Sequence, residues 1–172
     1  MTGGQALVKS LYLEGVRVIF GLPGVQLYYA MDALYEEPGI RFITTRHEQA
    51  TTYMADGYSR ATGKPGVLLT STGPGAADSI GALGEAYFSS SSVLEITTNV
   101  EQEFIGSGRL ATHETKDQPR MFEAVTDWNV MINQVESIPD HVVEAFQRFQ
   151  TKRPRPIELE IATDLLGAEA DV

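Results

Sequence analysis

The 172-residue sequence has no cysteine. That excludes a disulfide scaffold, a cysteine nucleophile and a thiolate metal site, and it fits a reducing compartment. Basic residues are scarce. Lys plus Arg number 13 against 23 Asp plus Glu, a formal charge of −10. A chain so acidic lacks the basic face that binding a phosphate backbone requires, so no nucleic-acid partner is expected. Its one basic cluster, Lys152, Arg153 and Arg155, is broken by Pro154 and Pro156 and reads as a solvated turn. No apolar run approaches the ~20 residues that span a bilayer. The N-terminus carries Lys9 before Glu14 and has no uninterrupted apolar core, so it does not read as a signal peptide. No membrane partner and a cytoplasmic location are the resulting expectations. The three histidines, at 47, 113 and 141, share no ligand spacing, and no metal site is expected in the chain. There is no Walker sequence and no Gly-x-Gly-x-x-Gly between a strand and a helix. Gly106-Ser107-Gly108 falls in a loop, so a flavodoxin-like nucleotide module is only a weak third reading.

The 42% apolar content is enough for one well-buried core. Short β-rich runs occupy Val16–Phe20, Ile40–Thr44, Val67–Ser71, Val93–Thr97, Val125–Ile132 and Ile157–Ile161. Segments with helical spacing separate them. Thr2 and Gln5 form a capping box ahead of a helix that directs Ala6 or Leu7, Leu11 and Leu13 to the core and stops at Gly15. From His47 to Thr62, the stripe Ala50, Met54, Tyr58 and Ala61 predicts a helix with that face inward, ending at Gly63. Val142, Val143, Phe146 and Phe149 predict another behind Pro139-Asp140. This alternation gives an α/β fold, a doubly wound and mostly parallel sheet of about six strands with helices on both faces. Glu101–Arg120 lacks a period and reads as a long loop or lid with a turn of helix. The expected domain is 1–165, with 166–172 a frayed tail or the start of a linker.

In an open parallel sheet, ligands sit beyond the carboxyl ends of the strands. The loops there are Gly21-Leu22-Pro23-Gly24, Thr45-Arg46-His47-Glu48, Thr72-Gly73-Pro74-Gly75 and Thr98-Asn99-Val100. Gly-Pro-Gly after a strand suits a tight turn with Pro74 at a helix start. Glu48 stands at a strand-to-helix junction. A carboxylate there can simply favour the helix dipole. In a cleft, burial would instead suit it to proton transfer.

Taken together, these blocks resemble the pyrimidine-binding (Pyr) domain of thiamine-diphosphate enzymes of the acetolactate synthase group. The carrying residues are Gly15–Gly24, Arg46-His47-Glu48-Gln49-Ala50 with Met54–Gly63, and Thr70–Ala76 continuing to Ala86-Tyr87. The resemblance runs from Gly3 to about Asp164. It implies that Glu48 is the glutamate that hydrogen-bonds N1′ of the cofactor's aminopyrimidine and activates it. Pro23, Gly24, Thr72, Gly73, Gly75 and Asn99 match the surrounding cofactor-binding positions. Val25, Gln26, His113 and Glu114 fall where substrate contacts vary.

The resemblance also implies a missing half. Thiamine diphosphate would be held at its pyrimidine end only. The diphosphate and Mg²⁺ would come from a diphosphate-binding domain or subunit whose Gly-Asp-Gly…Asn motif this chain lacks. The implied activity is that of a 2-keto-acid decarboxylase or carboligase. The alternative is an excised or engineered stand-alone domain that folds and dimerises but turns nothing over. Helix Pro74–Ser89, with Ala77, Gly81 and Gly84 on one face, is the implied homodimer contact. Ser92, Glu95 and Ala162 depart from the family pattern. Glu95, in Val93-Leu94-Glu95-Ile96, would be a costly lone carboxylate in a central strand.

Overall fold

A computed structural model describes residues 1–172. In chain order the elements are α1 (Gly3–Leu13), β1 (Val18–Gly21), α2 (Tyr28–Glu36), β2 (Arg41–Thr44), α3 (Glu48–Thr62), β3 (Gly66–Thr70) and α4 (Pro74–Ser89). They continue with β4 (Val93–Asn99), α5 (Gln118–Phe122), β5 (Trp128–Ile132), α6 (Ile138–Thr151), β6 (Ile157–Ala162) and α7 (Thr163–Gly167). The six strands form one sheet in the order β2-β1-β3-β4-β6-β5, and every pairing is parallel. The expected doubly wound α/β fold is what the chain adopts. Helices α1, α2, α6 and α7 cover one face over a core that includes Leu7, Leu34, Ile96, Phe146 and Leu159. Helices α3, α4 and α5 cover the other over a smaller core of Phe20, Leu68, Leu83 and Phe122.

Local sequence accounts for most boundaries. The Thr2 side chain accepts from Gln5 N, and Gln5 reaches back to Thr2 N, completing the capping box. Gly15 and Gly63 both adopt left-handed backbone after a helix, at φ 86° and φ 70°. The β3 and β4 strands are buried along their whole length, as central parallel strands must be. β5 is an edge strand, which accommodates the polar Asn129. The long segment after β4 is irregular, with a 3-10 turn at Gln102–Phe104, up to α5.

Other expectations are overturned. The second strand begins at Arg41, not Ile40, and the fifth at Trp128, not Val125. Leu13 is 72% exposed. Two residues past Leu11, it is turned about 200° around the helix from the buried face. Val143 is likewise 38% exposed. Helix α3 presents its other side to the sheet. Thr51, Thr52, Ala55, Asp56 and Ser59 are buried, whereas Ala50, Met54 and Ala61 are exposed and Tyr58 is half-buried. The cause is close approach. A side chain at Gly66 would collide with the Ala55 backbone, so α3 lies too near β3 for large residues. Its buried polar groups bond locally: Thr51 with Thr45 at 2.6 Å, Thr52 to Glu48 O at 3.1 Å, and Asp56 with Arg60 at 2.7 Å. The end of the chain is not frayed. Gly3 N donates to Ala168 O and Ala170 N to Met1 O, both at 3.0 Å, tying the two termini together.

Candidate functional site

Because all strands run the same way, the loops after β1, β2, β3 and β4 meet at one edge of the sheet. His47 is the N-cap of α3, its Nδ1 accepting from Gln49 N at 3.2 Å. Glu48 is therefore the first residue of the helix, half-buried. Its carboxylate enters none of the chain's ion pairs. Gly75, in the first turn of α4, faces it. A Cβ at Gly75 would stand 3.2 Å from Glu48 Oε1, so glycine leaves the space in front of the carboxylate open. Gly24 closes on the β3 loop, where a Cβ would stand 2.8 Å from Ser71 Oγ.

Two buried amides hold these loops. Gln26 accepts from Ser71 Oγ at 2.8 Å and donates to Thr112 O at 3.1 Å. It joins the β1 loop, the β3 loop and the 101–116 segment. Gln118, which the sequence reading did not single out, is 1% exposed. Its Oε1 accepts from Thr72 Oγ1 at 2.8 Å and Gly73 N at 2.7 Å, and its Nε2 donates to Thr98 O at 2.8 Å and Glu160 Oε2 at 3.1 Å. The only local signal for it was a polar residue between Asp117, the N-cap, and Pro119 at the start of α5.

The structure brings Pro23, Gly24 and Gly73, on loops, and Glu48 and Gly75, in the first turns of α3 and α4, to the same edge. Gly73 has φ 62°, and the backbone of His113 packs directly against it. His113 and Leu110 are themselves left-handed, at φ 69° and 61°. Such strain in non-glycine residues concentrates at functional sites. Thr72 and Asn99 turn inward. Asn99 Nδ2 donates to Glu160 Oε1 at 2.5 Å, and its Oδ1 accepts from Val100 N at 2.7 Å. Glu114 staples its own loop: its carboxylate accepts from Gly108 N at 2.7 Å and Ala111 N at 3.2 Å. Those backbone donors, Gly108 first, hold its carboxyl below the usual range. Val25 and Gln26 also line a cavity of about 730 Å³ with Tyr28, Tyr29, Phe104 and Arg109, which Glu48 does not line. His47 and Asp78 are exposed, with Nε2 and Oδ2 3.6 Å apart, beside Glu48.

Glu95 is not a lone carboxylate. Parallel register sets it opposite Glu158 and sets Thr97 opposite Glu160. All three glutamates are fully buried. Burial pushes the Glu95 carboxyl up to about 8 and the Glu48 charge adds to the rise, while the nearby Ser79 hydroxyl and the bond from Thr70 oppose it. Burial, then the Glu160 and Glu95 charges, raises Glu158 well above the carboxylate range, against a bond from Thr97. Burial raises Glu160 too, opposed by Asn99 and Gln118.

Comparison with known proteins adds the family. Residues 1–121 match the family described as thiamine pyrophosphate enzyme, N-terminal TPP binding domain. A probable 2-ketoarginine decarboxylase AruI of Pseudomonas aeruginosa is 39% identical over 98% of the chain and 30% of its own length. A probable acetolactate synthase large subunit of Methanocaldococcus jannaschii is 36% identical over 100% of the chain and 28% of its length. The mitochondrial acetolactate synthase catalytic subunit of Saccharomyces cerevisiae is 32% identical over 98% and 24%. The chain thus spans about three-tenths or less of the length of these relatives. With that match over residues 1–121 and relatives 32–39% identical along nearly the whole chain, the chain belongs to the N-terminal TPP-binding domain family of thiamine pyrophosphate enzymes.

Proposed function

We propose that the chain is the pyrimidine-binding half of the active site of a thiamine-diphosphate-dependent 2-keto-acid decarboxylase or carboligase. The observation that carries the reading is Glu48. Its carboxylate is half-buried, takes part in no ion pair, and faces a glycine at the start of a second helix. A carboxylate so placed can accept or share a proton at a ring nitrogen brought against it. Gly75 admits a flat ring, and the Gly73 turn, pinned by Gln118, presents backbone from the other side. Pro23 and Gly24 belong to the β1 loop, which Gly24 brings against Ser71 of the β3 loop. Once bound, thiamine diphosphate supplies the electron sink for 2-keto-acid chemistry. The residues of this chain orient the pyrimidine and hold the proton at Glu48. We assign the diphosphate and its Mg²⁺ to a further domain or subunit, because the chain spans about three-tenths or less of the length of its relatives.

The test uses the 172-residue chain and thiamine diphosphate at millimolar concentration, followed through amide chemical shifts. Shifts confined to Glu48, Gly73 and Gly75, and lost in Glu48→Gln, are the expected result. Affinity at micromolar or tighter by this chain alone would overturn the half-site. Shifts that persist in Glu48→Gln would overturn the role of Glu48.

A homodimer through α3 and α4 is part of the same proposal. Their outward sides carry Tyr53, Met54 and Phe88, the last 82% exposed. Gly57 of α3 and Gly81 of α4 are exposed as well, and a Cβ there would meet nothing within 4 Å. An apolar surface with bare backbone suits close helix contact with a second copy. Sedimentation of the chain and of Gly81→Leu tests this. The parent is expected to be a dimer and the variant a folded monomer. A parent monomeric at high micromolar concentration would remove the α3–α4 interface.

A further inference from the structure

The polar seam under α4 contains two carboxyl groups that the site chemistry above does not use. Glu95 and Glu158 are opposite one another on β4 and β6, on the same face of the sheet, and neither is accessible to water. Each has one oxygen with a partner: Glu95 Oε1 accepts from Thr70 Oγ1 at 2.9 Å, and Glu158 Oε1 accepts from Thr97. Each has a second oxygen, Oε2, with none. Strands of one sheet lie about 4.8 Å apart, so side chains in register are neighbours. No cation compensates them. The ion pairs of the chain engage Asp56, Asp78, Glu85, Glu103 and Glu144 instead. The groups facing the pair are Thr70 from β3, Ser79 from α4, Glu160 beside Glu158 on β6, Asn129 from β5 and Glu48 from the start of α3. A buried carboxylate without a cation or a full set of donors is costly, whereas a protonated one carries its own donor.

We propose that Glu95 and Glu158 are a protonated carboxyl pair buried beneath α4, and that Glu95 is a positioning residue for Glu48, which faces Gly75 one turn of α4 from Ser79. While uncharged, Glu95 adds no negative charge beneath Glu48. Once ionised, it opposes the charge on Glu48. Each free Oε2 is then explained as the atom that bears the carboxyl proton. On the alkaline side each carboxyl that ionises releases its proton to solvent. The functional weight of Glu95 rests on the proposed role of Glu48. The coupling itself does not, because it is read with no cofactor present.

The experiment is a carbon-13 titration of glutamate side-chain carboxyls in the 172-residue chain from pH 4 to pH 9.5. Glu95 and Glu158 are assigned from Glu95→Gln and Glu158→Gln. Both carboxyls are expected to remain protonated through pH 7, while the exposed glutamates titrate near their usual value. In Glu48→Gln, with the neighbouring negative charge removed, the Glu95 midpoint is expected to fall. A purely structural role for Glu95 would not produce that shift. In Glu95→Gln the Glu158 midpoint is expected to fall as well. The proposal is overturned if Glu95 and Glu158 titrate with the exposed glutamates, or if the Glu95 midpoint does not move in Glu48→Gln. Glu48→Gln lies at the surface end of α3, so this arm does not depend on substituting a buried residue.

Discussion

Raising the pH from 5 to 9 should destabilise the folded chain by on the order of 4 kcal/mol through Glu95 alone. The sign follows from linkage. The Glu95 carboxyl is raised from 4.5 to about 8 in the folded state by burial. The folded state therefore holds a proton that the unfolded state has already lost between those values, and stability falls as pH rises. The contribution is fully present below about 4.5 and is lost as pH passes through about 8. The whole difference, 8 − 4.5, is about 3.5 units at about 1.4 kcal/mol each, part of which is lost below pH 5. Glu158 and Glu160 are raised in the same direction and steepen the loss. Urea unfolding at a series of pH values measures it. Glu95→Gln keeps the shape and supplies an amide N–H where the protonated acid has its O–H. It is expected to be close to neutral at pH 5 and stabilising by several kcal/mol at pH 9. A wild-type stability that stays flat or rises over this range would show that the buried glutamates are paired with something other than protons.

Replacing Gln118 by leucine should cost about 3 kcal/mol or more and free the Gly73 turn. One side chain makes four buried hydrogen bonds, to Thr72, Gly73, Thr98 and Glu160. Leucine fills similar volume but leaves all four partners without it. Each orphaned buried group costs about 1–3 kcal/mol, less what relaxation recovers. Thr72 retains only a long contact to Asn99 at 3.4 Å, and Gly73 N has no other acceptor among the chain's hydrogen bonds. Two measurements check it: the unfolding midpoint, and amide hydrogen exchange at Gly73, which should speed up far more than exchange in the β3 strand. Equal acceleration at both would mean that Gln118 supports the sheet and not the turn. In the proposed site the same loosening should weaken the response of Gly75 to thiamine diphosphate.

Much of the architecture was readable from local chemistry. The Thr2–Gln5 box, the stops at Gly15 and Gly63, and Pro74 at the first turn of α4 act within a few residues of themselves. The alternation of apolar runs and helical segments sufficed for a parallel, doubly wound sheet. The placement of Glu48 followed from a strand ending at Thr44 and a helix beginning four residues later. Helix α3 was misjudged because periodicity reports that a helix has an apolar side, not which neighbour that side meets. Its small and polar side faces β3, where Gly66 meets the Ala55 backbone, and its apolar side faces outward.

The sequence by itself determined the element types, their order and the loop residues at the carboxyl edge, because each depends on neighbours a few positions away along the chain. Only the tertiary structure decided that Glu95 lies opposite Glu158, that Gln118 fastens Gly73, and that the two termini meet at Gly3 and Ala168. Those contacts join residues far apart in sequence, through a strand order in which β6 inserts between β4 and β5. A carboxylate in an apolar strand reads as a defect until its register partner is known. The cost or use of a buried charge depends on what faces it in space, which neither composition nor periodicity records.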